Sequence, residues 1–307
     1  MSRVAGLTPA IVPLLREVGD LKRVTAANLA PGQSVAARMF LRGWARIVRG
    51  DGAARVAYES LASGVAAARL GALDAERLVT LGLDEDEARG VLVRALDELS
   101  GPLAPALAAR LREAVPVAAA AGDADEADAP PFAHALARQP RAGVTCPGRA
   151  RIMLQPEENH ADHCMVVALY AGLLAPSLGA DPAQAWWLGM AHHLHSAAMP
   201  DAGYTGEMLV EPHLTRVIEN ARTLALEELA PDLRARARAA LDEVADDATP
   251  AARAFHAADV IDRVLEIDHH LSTSAVTMDR VLGEYELVHD GPVKAFHDEA
   301  LTAVALP

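Results

Sequence analysis

The sequence predicts an all-α protein, and three observations carry that prediction. Its 307 residues are 51% hydrophobic but only 4% aromatic. The apolar content is therefore mostly alanine, leucine and valine, and alanine and leucine are good helix formers. Apolar residues recur at helical spacing along most of the chain. Residues that start and stop helices bracket those stretches in order.

Residues 1–118 read as a helical N-terminal region. Thr8-Pro9 opens a first helix with Ile11, Leu14, Leu15 and Val18 on one stripe, proline being suited to a first helical position. A second runs from Ser34 to Val48, where Val35, Met39, Leu41 and Ile47 alternate with Arg38, Arg42 and Arg46, and Gly50-Asp51-Gly52 ends it. Further helical patterns cover roughly 53–70, 74–81, 85–99 and 102–115. No histidine or cysteine occurs in this region; its arginines read as the solvated faces of amphipathic helices. Residues 119–131, small, acidic and ending in Pro130-Pro131, read as a linker. Residues 132–307 then form the second unit. Val144 to Leu154, with Pro147 and Gly148, reads as an extended loop.

Helix starts are sharper after that point. Pro156-Glu157-Glu158 predicts a helix to Leu174, with acids at the positive end of its dipole. Asp181-Pro182 predicts another to about Ser196. Met199 to Glu207, with Gly203 and Gly206, reads as a loop at the rim of a pocket. Helices are expected over Pro212–Leu229, Asp232–Val244 and Pro250–His270, and one or two more close the chain around Gly291-Pro292.

The net charge of −14 argues against a nucleic-acid groove, which needs a basic stripe, but not against a small anion held at a metal. Two cysteines, Cys146 and Cys164, make no disulfide framework. No window approaches 18 uninterrupted apolar residues, so no transmembrane helix is expected. The expectation is a cytoplasmic protein without membrane or nucleic-acid partners.

The chemistry concentrates between Asn159 and Glu207. One histidine group is Asn159-His160-Ala161-Asp162-His163; the other is His192-His193-Leu194-His195. Eleven of the twelve histidines lie between His160 and His297. His163 falls on the stripe of Val166, Val167, Tyr170 and Leu174, a face where an unpaired polar group is costly. His160 lies further round the helix, at a rim or behind a ligand. Gly189, one turn before His192 and His193, permits a close approach by a neighbouring helix. Far downstream, Asp259 follows Phe255 by one turn; Asp262 is a second candidate, although Arg263 and Glu266 beside it equally suit a surface charge pattern. Histidines and a carboxylate converging from separate helices make a transition-metal site. His213, His269, His270, His289 and His297 read as structural or exposed.

This pattern resembles the HD superfamily of metal-dependent phosphohydrolases. The resemblance rests on Asp162-His163-Cys164-Met165-Val166-Val167-Ala168-Leu169, on Leu188-Gly189-Met190-Ala191-His192-His193-Leu194 and on Ala257-Ala258-Asp259-Val260, and covers about residues 156 to 270. It implies a helical bundle of HD type and His163, His192, His193 and Asp259 as metal ligands. His193 stands where the family has the aspartate of its His-Asp pair, and an imidazole cannot bridge two ions as a carboxylate does. One divalent ion is therefore expected, held by three nitrogens and one oxygen, a set that suits Fe, Mn, Zn or Co. The implied reaction is attack of a metal-activated water on a phosphate ester of a nucleotide or small metabolite. His195, Glu207 and Asp201 are the candidate catalytic groups; Arg222 or Arg263 would hold the phosphate. A related branch uses two irons and dioxygen with additional histidines, for which His213 and His256 are placed. A binding or regulatory module without turnover is the third reading. The N-terminal helices would cap the pocket or pair two subunits.

Overall fold

Asn159 accepts a hydrogen bond from the backbone N–H of Asp162, and the Asp162 carboxylate accepts one from the N–H of Asn159. This reciprocal cap satisfies the free amides of a helix start. It places the start at His160, not at Pro156 as the acids at 157 and 158 suggested. In the computed structural model, which describes residues 4, 6–116, 126–271, 277–288 and 290–307, the helix so begun is the centre of the molecule.

The described helices, in chain order, are α1 (Val12–Gly19), α2 (Val35–Arg49), α3 (Ala53–Leu70), α4 (Ala75–Thr80), α5 (Glu85–Leu99), α6 (Pro105–Ala114) and α7 (Pro131–Arg138). After them come α8 (His160–Leu174), α9 (Pro182–Ala191), α10 (Gly203–Val210), α11 (Leu214–Glu227) and α12 (Pro231–Glu243). The long α13 (Pro250–Leu271), then α14 (Met278–Glu284) and α15 (Lys294–Ala303), complete the bundle. Short 3-10 turns link several of them, among them Asp20–Lys22 and Leu194–Ala197. The all-α expectation holds. Among the described residues the only β pairing is two isolated bridges, Pro140 with Asn159 and Val144 with Ile152.

Every residue of α8 is buried, enclosed by α9, α13, α2, α3 and α7. His160–Leu178 is apolar and long enough to cross a membrane by composition, and 89% of that window is buried inside the molecule; packing on all sides accounts for its apolarity.

Residues on both sides of the 119–131 segment share one apolar core. Trp44 of α2 packs edge-on against Phe132 of α7 at 4.8 Å, the geometry aromatic rings prefer, and at a tilt against Trp187 of α9 at 5.4 Å. Residues 119–125 of the expected linker lie outside the described residues. Glu126, just after them, accepts a hydrogen bond from Gln33, so the chain is docked again before α7 begins. The boundary legible in composition is thus not a boundary in the core.

Two further differences bear on the pocket. Helix α9 stops at Ala191 rather than Ser196, so His192 and His193 lie just past its end. Residues 203–207, expected as loop, form the first turns of α10.

Candidate metal centre and pocket

The Nδ1 atom of His163 lies 2.8 Å from Asp262 Oδ2. An ionised carboxylate only accepts hydrogen bonds, so Nδ1 carries the proton and Nε2 a lone pair. His192 Nδ1 lies 2.7 Å from the Gly189 carbonyl oxygen, another pure acceptor. Its Nε2 is likewise a lone pair. These two Nε2 atoms are 3.2 Å apart, and Asp259 Oδ1, also 3.2 Å from His163 Nε2, is buried without a hydrogen-bond partner.

His163 Nε2 thus faces two further acceptors, His192 Nε2 and Asp259 Oδ1, with no donor between them. That arrangement is repulsive until a cation enters. The separations match the edge of a tetrahedron with metal–nitrogen bonds of about 2.0 Å, which is roughly 3.3 Å. Ligand atoms of His163, His192 and His193 all lie within 4.8 Å of one another. Three imidazoles and a carboxylate fit a divalent transition metal, and the Asp262 carboxylate and Gly189 carbonyl on the outer nitrogens of His163 and His192 are the usual orienting partners of such ligands.

His163 also belongs to a second group, with Glu158 and Asp262. There the Lys22 ammonium stands 2.5 Å from Glu158 Oε1 and 2.6 Å from Asp262 Oδ1. A metal ion at that place would collide with a buried cation, which leaves the Nε2 side of His163 for the metal. Asp262 is therefore no surface charge: it is 1% exposed and holds His163.

Helix α9 sets the distance between the two histidine groups. A Cβ added to Gly189 would lie 2.5 Å from Ala168 Cα on α8, so only glycine lets the helices approach this closely.

A cavity of about 260 Å³ opens above the centre. His193 lines it, as do His195, Asp201 and Glu207, the candidate acid–base groups. Asp201 is fixed by the backbone N–H groups of Ala142 and Gly203, at 2.9 and 2.8 Å. His160, 1% exposed, lines the cavity beside it with Nε2 at 3.7 Å from Asp201 Oδ2 and both ring nitrogens unpartnered. Burial raises the Glu207 carboxyl, and the nearby Asp201 charge adds to the effect.

One wall of this cavity is an excursion over residues 139–159, pinned by hydrogen bonds between Val144 and Ile152 and from the Arg141 amide to the Glu158 carbonyl. Gly143 turns within it at φ +74°, where an added Cβ would meet the Ile152 carbonyl oxygen. The excursion carries Arg141 into the pocket, 3.3 Å from Glu158. Sequence reasoning missed Arg141; its placement depends on pairing across the excursion, and no local pattern announces it. Of the two arginines named from sequence, Arg263 lines the cavity and approaches Asp259 at 3.5 Å. Arg222 pairs instead with Glu219.

The remaining histidines lie apart from the ligand group. His213 is exposed at the start of α11. His256 bonds the Asp246 carbonyl oxygen and lies beside His297 with the rings tilted. His270 bonds Glu266, and His269 is exposed near Arg23. His289 lies outside the described residues.

Compared with known families, residues 133–291 match the HD domain, more than half of the chain. The chain belongs to the HD domain family. This membership supports metal-dependent phosphohydrolase-type function and the binding of divalent metal. The HD domain match begins at α7, so α1 to α6 and Lys22 lie outside it. No curated protein and no solved structure matches the chain.

Burial, then the neighbouring His163, lowers His192 to about 3. Burial, then His192, takes His193 well below its ordinary value. A lowered histidine pKa keeps the neutral, ligating form down to acid pH, so protons compete weakly with metal at these two positions. Metal content should stay constant between about pH 7 and pH 5, read by elemental analysis after dialysis. Release near pH 6 with the helical signal intact would contradict neutral, buried imidazoles.

Proposed function

We propose that the protein is a metal-dependent hydrolase of the HD type acting on a phosphate ester of a small metabolite or nucleotide. The observation that carries this reading is the convergence of His163 Nε2, His192 Nε2 and Asp259 Oδ1 without a donor, beneath a cavity that holds acid–base groups. His163, His192, His193 and Asp259 would hold one ion. When bound, that ion supplies Lewis-acid activation of water and draws charge from a phosphoryl oxygen.

The chain's own residues do the rest. Arg141 and Arg263 point charge into the cavity and suit the oxygens of a phosphate. Glu207, whose carboxyl is raised by burial, is suited to hold a proton for the departing oxygen. Asp201, clamped by two amides, orients what lies next to it and stands ready to accept a proton. His195, lowered to about 4 by burial and then by Arg222, offers a neutral imidazole. His193 lies between the buried ligands and the open cavity, so substrate meets the centre at that residue.

Charge makes the anion's binding depend on the metal. Glu157, Glu158, Asp201, Glu207 and Glu266 outnumber Arg141 and Arg263 around the cavity. Hydrolysis of a panel of phosphate monoesters should therefore require metal. Arg141→Met should raise KM by about tenfold to a hundredfold, the worth of one charge-assisted hydrogen bond, with a smaller change in kcat. Metal-loaded protein that turns over none of the panel would refute the hydrolase reading.

The oxygenase alternative drew on His213 and His256, and neither joins the ligand group among the described residues.

A further inference from the structure

Lys22 belongs to a 3-10 turn directly after α1, outside the HD domain match. Its side chain is 3% exposed, yet three carboxylates reach its ammonium: Glu158 at 2.5 Å, Asp262 at 2.6 Å and Glu266 at 3.3 Å. Two of them have other cationic partners. Arg141 pairs with Glu158, and Arg23 and His270 pair with Glu266. Asp262 pairs only with Lys22 and His163 among the described ion pairs.

We propose that Lys22 is a positioning residue of the metal centre: through Asp262 it fixes which nitrogen of His163 faces the metal, and its ammonium keeps a metal ion from the Glu158–Asp262 side. The N-terminal region thereby completes the HD site. This inference rests on the metal reading of the ligand group.

Asp262 links the lysine to the ligand. Lys22 contacts both of its oxygens, at 2.6 Å to Oδ1 and 2.8 Å to Oδ2, while Oδ2 accepts from His163 Nδ1 at 2.8 Å. With the carboxylate anchored from behind, the imidazole is held as the Nδ1–H tautomer and Nε2 is presented to His192 and Asp259. Such partners behind a ligand typically contribute about 10- to 100-fold in metal affinity. Without the ammonium, Glu158, Asp262 and a released His163 nitrogen form a buried, negatively charged group, attractive to a cation on the wrong side of the ring. Stability alone does not require this design, because buried ion pairs are often replaceable by apolar groups at little cost.

The test is a Co(II) titration followed by visible absorption, on metal-stripped wild type, Lys22→Met, Asp262→Asn and Arg23→Met, with circular dichroism alongside. Arg23 bonds Glu266 at 2.6 Å in the same charged cluster without an ion pair to Asp262, so it controls for a merely structural role. The expected result is Co(II) affinity about 10- to 100-fold weaker and an altered absorption band in Lys22→Met and Asp262→Asn, with Arg23→Met like wild type. Wild-type affinity and band in folded Lys22→Met would overturn the proposal. Should Lys22→Met not fold, the same outcome in Asp262→Asn would overturn it. A wild type that takes up no Co(II) would be a different failure, removing the metal centre itself and this inference with it.

Discussion

Asp259→Asn is expected to abolish metal binding and hydrolysis while leaving the metal-free protein within about 1 kcal/mol of wild-type stability. Asp259 Oδ1 faces the Nε2 lone pair of His163 at 3.2 Å and has no hydrogen-bond partner. An asparagine amide turned toward His163 would donate to that lone pair, a hydrogen bond worth about 1 kcal/mol. Against that gain stands the loss of the charge pair with Arg263 at 3.5 Å, which holds the Asp259 carboxyl well below its ordinary range. His163→Ala should also lose the metal, but at a stability cost of about 1–3 kcal/mol, because Asp262 loses one buried charge-assisted hydrogen bond, keeping only Lys22, and the ring leaves a cavity in the core. The two variants are thus separable by elemental analysis combined with thermal melts of the metal-free forms. If Asp259→Asn keeps wild-type metal content, Asp259 is not a ligand and the set of three nitrogens and one oxygen falls.

Gly189→Val is expected to damage fold and site together. The added Cβ meets backbone atoms of Ala168, with Cα at 2.5 Å and N at 2.6 Å, and backbone cannot rotate out of the way. Helices α8 and α9 must separate, and overpacking of this kind costs about 1–3 kcal/mol or more. His163 rides on α8 and His192 directly follows α9, so the same displacement widens the 3.2 Å gap between their Nε2 atoms. Metal affinity should fall by more than tenfold, roughly 1.4 kcal/mol or more, in whatever fraction remains folded. Gly90→Ala, whose Cβ would meet nothing closer than an Arg94 nitrogen at 3.6 Å, is the matched control. A Gly189→Val protein with wild-type melting and wild-type metal content would show that the helix contact does not set the ligand distance.

These expectations draw on different depths of information. The helices were legible because their signals are local. Ser34 before α2, Asp181-Pro182 before α9 and the proline at 250 each sit where an unsatisfied helix end needs them. The place of α8 in the core was legible from the stripe containing His163. Its first residue was misjudged, because Pro156 and two acids imitate a start while the reciprocal Asn159–Asp162 cap provides one.

What the sequence by itself determined was an all-α chain, two histidine groups at the adjoining ends of consecutive helices, and a glycine that lets those helices touch. Each follows from the helical repeat and from short-range chemistry of caps and small residues. The tertiary structure alone decided which nitrogen of each histidine is free, that Asp262 is buried rather than a surface charge, and that Arg141 enters the pocket. It also brought Lys22 to Asp262 across 240 positions of chain. Contacts of that span leave no periodic or local trace, because they are fixed by how preformed helices dock and not by the residues adjoining them in sequence.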